Sequence, residues 1–305
     1  MSESNSSYHH PVMLKECIDG LNIKPGGIYV DLTFGGGGHS KVILEKLNGG
    51  HLYAFDQDQD AKANAEKIES SSFTFIEGNF RHLKRYLKMY GVKVVDGILG
   101  DLGISSHQID AASRGFSTRF DAELDMRMDQ SASKTARQVI NEYSEEDLHR
   151  ILGMYGEVRN ARTLAKAIVA TRINQEIKTI EDLKRILSKY AKRGKENRYY
   201  AQVFQAIRIE VNDELKALEE MLEQSSEMLA KDGRLVIMSY HSLEDRLVKN
   251  YIMKGKITGE VEKDFYGNVI KPLEAVTRKP VTASEEELNT NNRARSAKLR
   301  IAKKI

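Results

Sequence analysis

The chain has 305 residues, a formal net charge of +3, 40% hydrophobic residues and 30% charged ones. These values suit one large globular domain or two ordinary ones, and they exclude a disordered chain and a polycation. The one cysteine, Cys17, excludes an internal disulfide and thiolate metal sites. No apolar run nears the roughly 18 residues of a membrane span. The opening MSESNSSYHHPVML lacks the basic and apolar regions of a secretory signal, so a reducing cytoplasm is expected. His9 and His10 have no third ligand at metal spacing, and no metal is expected.

Strand-like and helical patterns alternate from residue 27 onward. GIYVDL reads as a strand and HSKVILEKL as a helix. GHLYAFD and QDAKANAEKIE repeat the pair, as do FTFIEG and FRHLKRYLKMYG, and VVDGILGDLG is a fourth strand. Short apolar strands separated by helices indicate α/β architecture with a parallel, doubly wound sheet. From Gln108 to Arg198 no strand pattern is found. There, SEEDLHRILGMYG and TIEDLKRILSKYA pair Ser144 with Asp147 and Thr179 with Asp182 at capping-box spacing, and ARTLAKAIVATRI is a third helix. The expected organisation is a sheet domain of residues 1–107 and 199–305, interrupted by an all-helical insert of 108–198.

Beyond the insert, Phe204, Ile207, Val211, Leu215, Leu218 and Leu222 form the stripe of one long amphipathic helix. RLVIMSY is a fifth strand, and SLEDRLVKNYIM is a helix with a capping box of Ser242 and Asp245. AVTRKPV and SAKLRIAKK suit a closing antiparallel pair. The last fifteen residues hold six Lys or Arg and no acid, which suits either a solvated end or a phosphate-binding patch.

The four glycines in DLTFGGGGHS pose the functional question. A P-loop requires G-x-x-x-x-G-K-[ST], and Ser40 or Lys41 stands where its second glycine belongs. The dinucleotide fingerprint requires a third glycine where Ser40 stands. What is left is a strand ending in Asp31, a glycine loop, a helix, and a second strand ending in Asp56, 21 residues after Gly35. A carboxylate at that strand end accepts hydrogen bonds from ribose hydroxyls. This layout suits S-adenosylmethionine, with glycines against the methionine part and EGNF and GDLG in the loops that follow strands three and four.

The motifs VDLTFGGGGHS, AFDQD, DLGISSHQID, RGFS, LDMRMD, FQAIRIEVNDEL, SYHSLEDR and RARSAKLR together resemble the bacterial ribosomal RNA small subunit methyltransferase H family, from about His9 to Lys303. The resemblance implies a class I (Rossmann-like) methyltransferase sheet with an inserted helical domain. It implies S-adenosyl-L-methionine as cofactor and N4-methylation of a cytidine in the decoding centre of 16S rRNA. By the same resemblance Gly37, Gly38, His39, Asp56, Phe80, Asp101 and Gln108 are the cofactor residues, with Phe80 at the adenine. Gly100 and His107 depart from the family, which more often has leucine and proline there.

A cytosine amine is a weak nucleophile, because its lone pair is delocalised into the ring. The enzyme must align it with the methyl–sulfur bond and accept its hydrogen bonds. Many amino-methyltransferases use an acid–Pro–Pro–aromatic loop for this. Here the loop reads Asp101-Leu102-Gly103-Ile104-Ser105-Ser106, without proline or ring. Asp101 is the candidate for the amine, and Tyr240 and His241 are the candidates for the missing ring, with a helix cap as the other reading of His241. The partner implied is 16S rRNA within the small ribosomal subunit, with a homodimer allowed. RNA contact is expected from the insert and the basic tail, through Arg114, Arg119 and Arg127 and through Arg293, Arg295, Lys298 and Arg300. Two other readings stay open: a cofactor-binding assembly factor without turnover, and a nicotinamide oxidoreductase.

Overall fold

A computed structural model describes residues 11–305, so His9 and His10 lie outside the described residues. In chain order come α1 (Leu14–Leu21), β1 (Ile28–Asp31), α2 (Gly38–Lys46), β2 (His51–Asp56), α3 (Gln59–Ala65), β3 (Phe73–Glu77), α4 (Leu83–Met89) and β4 (Val95–Asp101). Six helices follow: α5 (Ser106–Asp110), α6 (Ala136–Glu142), α7 (Glu145–Met154), α8 (Ala161–Asn174), α9 (Ile180–Leu187) and α10 (Glu196–Asn212). The chain closes with α11 (Glu214–Met228), β5 (Leu229–Ser239), α12 (Ser242–Lys254), β6 (Leu273–Ala275), α13 (Glu285–Thr290) and β7 (Lys298–Lys304).

The chain divides into two compact units, one running up to Gly103 and resuming with Lys216–Ile305, the other Ile104–Leu215. The helical unit is thus wider at both ends than the expected 108–198. Its own core explains the gain: Tyr200, Val203, Phe204, Ile207 and Val211 of α10 pack with Leu148, Ile151, Leu164 and Leu183. The single long helix expected over 204–222 is two helices. Asp213 sits at φ 51°, a left-handed residue that ends α10 and lets α11 restart at once.

The sheet has seven strands in the order β3-β2-β1-β4-β5-β7-β6. The first five run parallel, and β7 is antiparallel to both β5 and β6. Alternation sorts the strand side chains between two faces. Val30, Phe55, Ile98 and Ile237 pack with Leu87 of α4, Leu218 of α11 and Val248 of α12. Tyr29, Leu52, Leu99 and Val236 pack with Leu21 of α1 and Ile43 of α2. A sheet covered on both faces explains why its strands are apolar throughout. Among the described residues no helix is long and apolar enough to cross a membrane.

SAKLRIAKK forms the expected antiparallel strand, β7. β7 lies between β5 and β6, and of the expected AVTRKPV strand only Ala275 pairs regularly, with Val281 adding one bridge to Leu299. Arg300 donates to Asp245 at 2.6 Å, with their side chains 12% and 14% exposed, and Lys298 approaches the same carboxylate at 3.5 Å. Asp245 is partly desolvated, yet Arg300 and Lys298 hold its carboxyl below the usual range. Replacing Asp245 by Ala should therefore cost roughly 3 kcal/mol, because Arg300 is left without its counter-charge. The depressed carboxyl contributes stability above its unfolded value near 4, and that stability is lost as pH falls further. Denaturant melts of Asp245→Ala, of Arg300→Met and of the double variant at pH 7 test this. The double variant should lose less than the sum of the two single ones.

Candidate functional site

The strand order reverses at β1, with β2 on one side and β4 on the other. Loops at the carboxyl ends of the strands can part at such a point and admit a ligand. Three acids end the neighbouring strands there: Asp31 on β1, Asp56 on β2 and Asp101 on β4.

The glycine turn joins two of them. Gly35 N–H donates to Asp56 Oδ2 at 2.7 Å, and Gly37 N–H closes the turn on the Phe34 carbonyl at 2.7 Å. Gly37 has φ 77°, and a Cβ there would strike the Phe34 ring at 2.8 Å. A Cβ on Gly38 would lie 2.3 Å from Pro11, whereas one on Gly36 would meet nothing within 4 Å. The tight glycines therefore shape the turn, and Gly36 leaves its backbone open on one side. His39, in the first turn of α2, is buried with Nε2 3.2 Å from the Val12 carbonyl. Its Nδ1 is 3.9 Å from Asp101 Oδ2.

The three acids are held differently. Asp31 is fully buried and accepts from Ser40 Oγ at 2.7 Å and Thr33 N at 3.0 Å. Burial pushes its carboxyl up. Asp56 accepts one backbone N–H on each oxygen, from Gly35 and, at 2.9 Å, from Asp58, which leaves acceptor capacity on both. Burial raises its carboxyl to about 6 against those bonds, with the charges of Asp58 and Asp31 adding to the rise. Asp101 also stands at about 6, raised by burial and lowered in part by His39 and the Tyr240 hydroxyl.

Tyr240 supplies a ring beside the loop that lacks one. Its hydroxyl donates to Asp101 Oδ1 at 2.7 Å. Gly103, at φ 97°, brings the backbone under the ring: a Cβ there would lie 3.4 Å from Tyr240 Cδ2. Burial and the Asp101 charge push the phenol far above its ordinary value, so it stays a donor. Thr33 Oγ1 accepts from Asp101 N at 2.7 Å, which ties β4 to the loop after β1.

The expected capping box of Ser242 with Asp245 is displaced by one residue. His241 is the N-cap and Glu244 the partner: Glu244 N approaches His241 Nδ1 at 3.4 Å, and Glu244 Oε2 accepts from the backbones of Tyr240 at 2.9 Å and His241 at 3.3 Å. His241 Nε2 also lies 3.2 Å from Glu244 Oε1, so the histidine faces its own helix. Glu244, only 3% exposed, went unnoticed in the sequence. Its signal was a Glu three residues after His241, masked because serine is the commoner cap.

The remaining candidates are more scattered. Phe80 opens the turn after β3 and packs partly buried on the sheet core, beside an Asn79–Gln57 bond of 2.7 Å. Gln108 belongs to the helical unit, where it is buried and closes a capping box with Ser105. Three of the arginines expected at RNA are used internally. Arg114 is buried and donates to the carbonyls of Arg127 and Met128, and Arg127 forks onto Asp125 at 2.9 and 2.7 Å. Arg300 is likewise held by Asp245. Arg119 and Arg295 stay exposed.

A family model described as the MraW methylase family matches residues 6–305. The chain is 62% identical over 297 residues to the ribosomal RNA small subunit methyltransferase H of Cytophaga hutchinsonii, covering 97% of this chain and 99% of that one. It is 52% identical over 305 residues to the protein of the same name from Phocaeicola vulgatus, covering 100% of each. Among solved structures it is similar to an rRNA methylase from Streptococcus thermophilus, at 12% identity over 95% of each chain with a TM-score of 0.41.

A folded-state carboxyl raised from about 4 to about 6 contributes stability below the lower value and loses it as pH rises through the upper one. Asp56→Asn has no such loss. Its stability relative to the unsubstituted protein should therefore climb from pH 4 to pH 6 and then level off, as read by denaturant melts across that range. A pH-independent difference would contradict the raised carboxyl.

Proposed function

The chain belongs to the MraW methylase family, and we propose that it methylates the exocyclic N4 amine of one cytidine in the decoding centre of 16S rRNA. At the coarser level it is a methyltransferase of small-subunit ribosomal RNA, as its relatives are named, with S-adenosylmethionine as its cofactor. The observation that carries the finer reading is the Asp101–Tyr240 pair at 2.7 Å beside the glycine turn. An acceptor for the amine and a ring for the base stand together there.

The residues fit the cofactor. Asp56 has acceptor capacity left for ribose hydroxyls, and the open backbone at Gly36, between Gly35 and Gly37, suits a closely approaching methionine part. Gly37, Gly38 and His39 hold that turn, and Phe80 stands at the loop after β3 for the adenine. Gln108 is assigned by its match to the family motif. When bound, S-adenosylmethionine supplies an electrophilic methyl group on a cationic sulfur. Asp31, Asp56 and Asp101 together give the site a negative potential that favours such a cation.

Asp101 accepts a hydrogen bond from the amine as its nitrogen becomes tetrahedral, and the Tyr240 hydroxyl holds the carboxylate in place. Methyl transfer forms an N–C bond and leaves the C–S electron pair on sulfur. The methylated amine is acidic enough to release its proton to water, so no side chain has to take it. His241 acts by positioning: its cap with Glu244 sets the backbone that carries Tyr240. The helical unit is the RNA-recognition domain in this reading, the assembled small subunit is the substrate, and the cytoplasm is the site of action.

Incubation with methyl-labelled S-adenosylmethionine and small subunits lacking the modification should place label on a single cytidine N4. Cofactor binding without transfer would favour an assembly factor, and label on another atom would refute the amine assignment. Tyr240→Phe should lower kcat about tenfold, the worth of one hydrogen bond of ~1.4 kcal/mol. Its cofactor affinity, read by calorimetry, should stay unchanged.

A further inference from the structure

A second basic stretch lies outside both the site and the tail. From residue 184 to residue 198 the chain carries seven Lys or Arg and a single acid, Glu196. It forms the end of α9, the turn that follows and the first residues of α10. Arg185, Lys189, Lys192, Arg193, Lys195 and Arg198 are all exposed. Glu196 is occupied locally, where its carboxylate accepts Gly194 N at 2.9 Å.

Beside this stretch an open groove of about 710 Å³ is lined by Arg119, Lys184, Arg185, Ser188, Asn197 and Tyr200 among others. Arg119 stacks on Phe120 with its guanidinium carbon 5.5 Å from the ring centroid, and Phe120 is 41% exposed. Glu181 lines the groove 3.1 Å from Lys184, and its N–H donates to the exposed Asp121, which also faces Lys184; Asp110 lies 3.1 Å from Arg119 and Asp182 3.5 Å from Arg185. The three ion pairs are surface pairs, of a kind worth at most about 1 kcal/mol and easily exchanged for phosphate. Basic forks, a hydroxyl, an amide and an exposed ring suit a ribose–phosphate strand with an unstacked base, and they do not suit an apolar ligand.

We infer that this groove of the helical unit binds a ribose–phosphate segment of folded RNA. Arg119, Lys184 and Arg185 meet phosphates at the groove wall, the lysines and arginine of the turn extend the track, and Phe120 stacks an unpaired base. The inference deepens the reading of the chain as an rRNA methyltransferase and rests on it.

The test compares two triple variants of the full chain with equal charge loss. One is Arg185→Gln/Lys189→Gln/Arg193→Gln. The other, a control on exposed positions of the sheet unit, is Lys67→Gln/Lys88→Gln/Lys93→Gln. Binding to purified small-subunit RNA is measured across salt, and methyl transfer to intact subunits is followed in parallel. The groove variant should raise the KM for subunits at least tenfold, with kcat and cofactor affinity unchanged. Its log–log salt slope should fall by about two to three, at ~0.7–0.9 per lost phosphate contact. The control should match the unsubstituted protein. Equal effects of the two triples, or full RNA affinity in the groove variant, would overturn the inference. So would intact RNA affinity with lost subunit binding, which would put ribosomal protein at the groove. Failure of the unsubstituted protein to label RNA would instead refute the function on which the inference rests.

Discussion

Three carboxylates end adjacent parallel strands, and keeping them there out of water is the constraint that shapes the centre of this protein. Burial pushes all three upward, and Asp31 raises the other two by its charge. Each must therefore be met by donors from a different segment. Asp31 takes Thr33 and Ser40, Asp56 takes Gly35 and Asp58, and Asp101 takes Tyr240. The glycine turn follows from this demand. Its first N–H must point at Asp56 while its chain doubles back on Phe34, which a run of side chains would block.

The same arrangement separates structure from function among the acids. Asp31 is fully enclosed and serves to hold the loop and the start of α2. Asp56 and Asp101 keep acceptor capacity at the strand ends, where the sheet opens. A cluster of acids that is only partly compensated suits a cationic ligand. Loss of that charge on methyl transfer weakens the same attraction, which favours release of the neutral thioether product.

Two of the motifs that carry the family resemblance hold backbone. In LDMRMD, Met126 adopts φ 60°, and the Asn212 amide bonds to the Met126 carbonyl and the Met128 N–H at 2.8 and 2.7 Å. In RGFS, a Cβ on Gly115 would lie 2.6 Å from the Glu123 carbonyl. Arg114 and Arg127 complete the same segment. Their charges are consumed inside the helical unit, whereas Arg185, Lys189, Lys192, Arg193, Lys195 and Arg198 of that unit are exposed.

The sequence by itself determined the alternation of strands and helices, the helical interruption, the exclusion of both phosphate loops and the acids that end the strands. Those features are local: they depend on hydrophobic period, cap spacing and glycine spacing within a few residues. Tertiary structure alone decided the rest. Asp213 breaks what periodicity reads as one helix, because a single left-handed residue leaves the apolar stripe intact. His241 and Glu244 take the cap from Ser242 and Asp245, because Asp245 is required 55 residues away by Arg300. The tail strand is legible in the sequence, but its interior place between β5 and β6 comes from pairing with both. Tyr240 reaches Asp101 across 139 residues, a distance over which no local pattern can be read. Pairings of that kind are set by which strands lie side by side, and only the folded sheet specifies that.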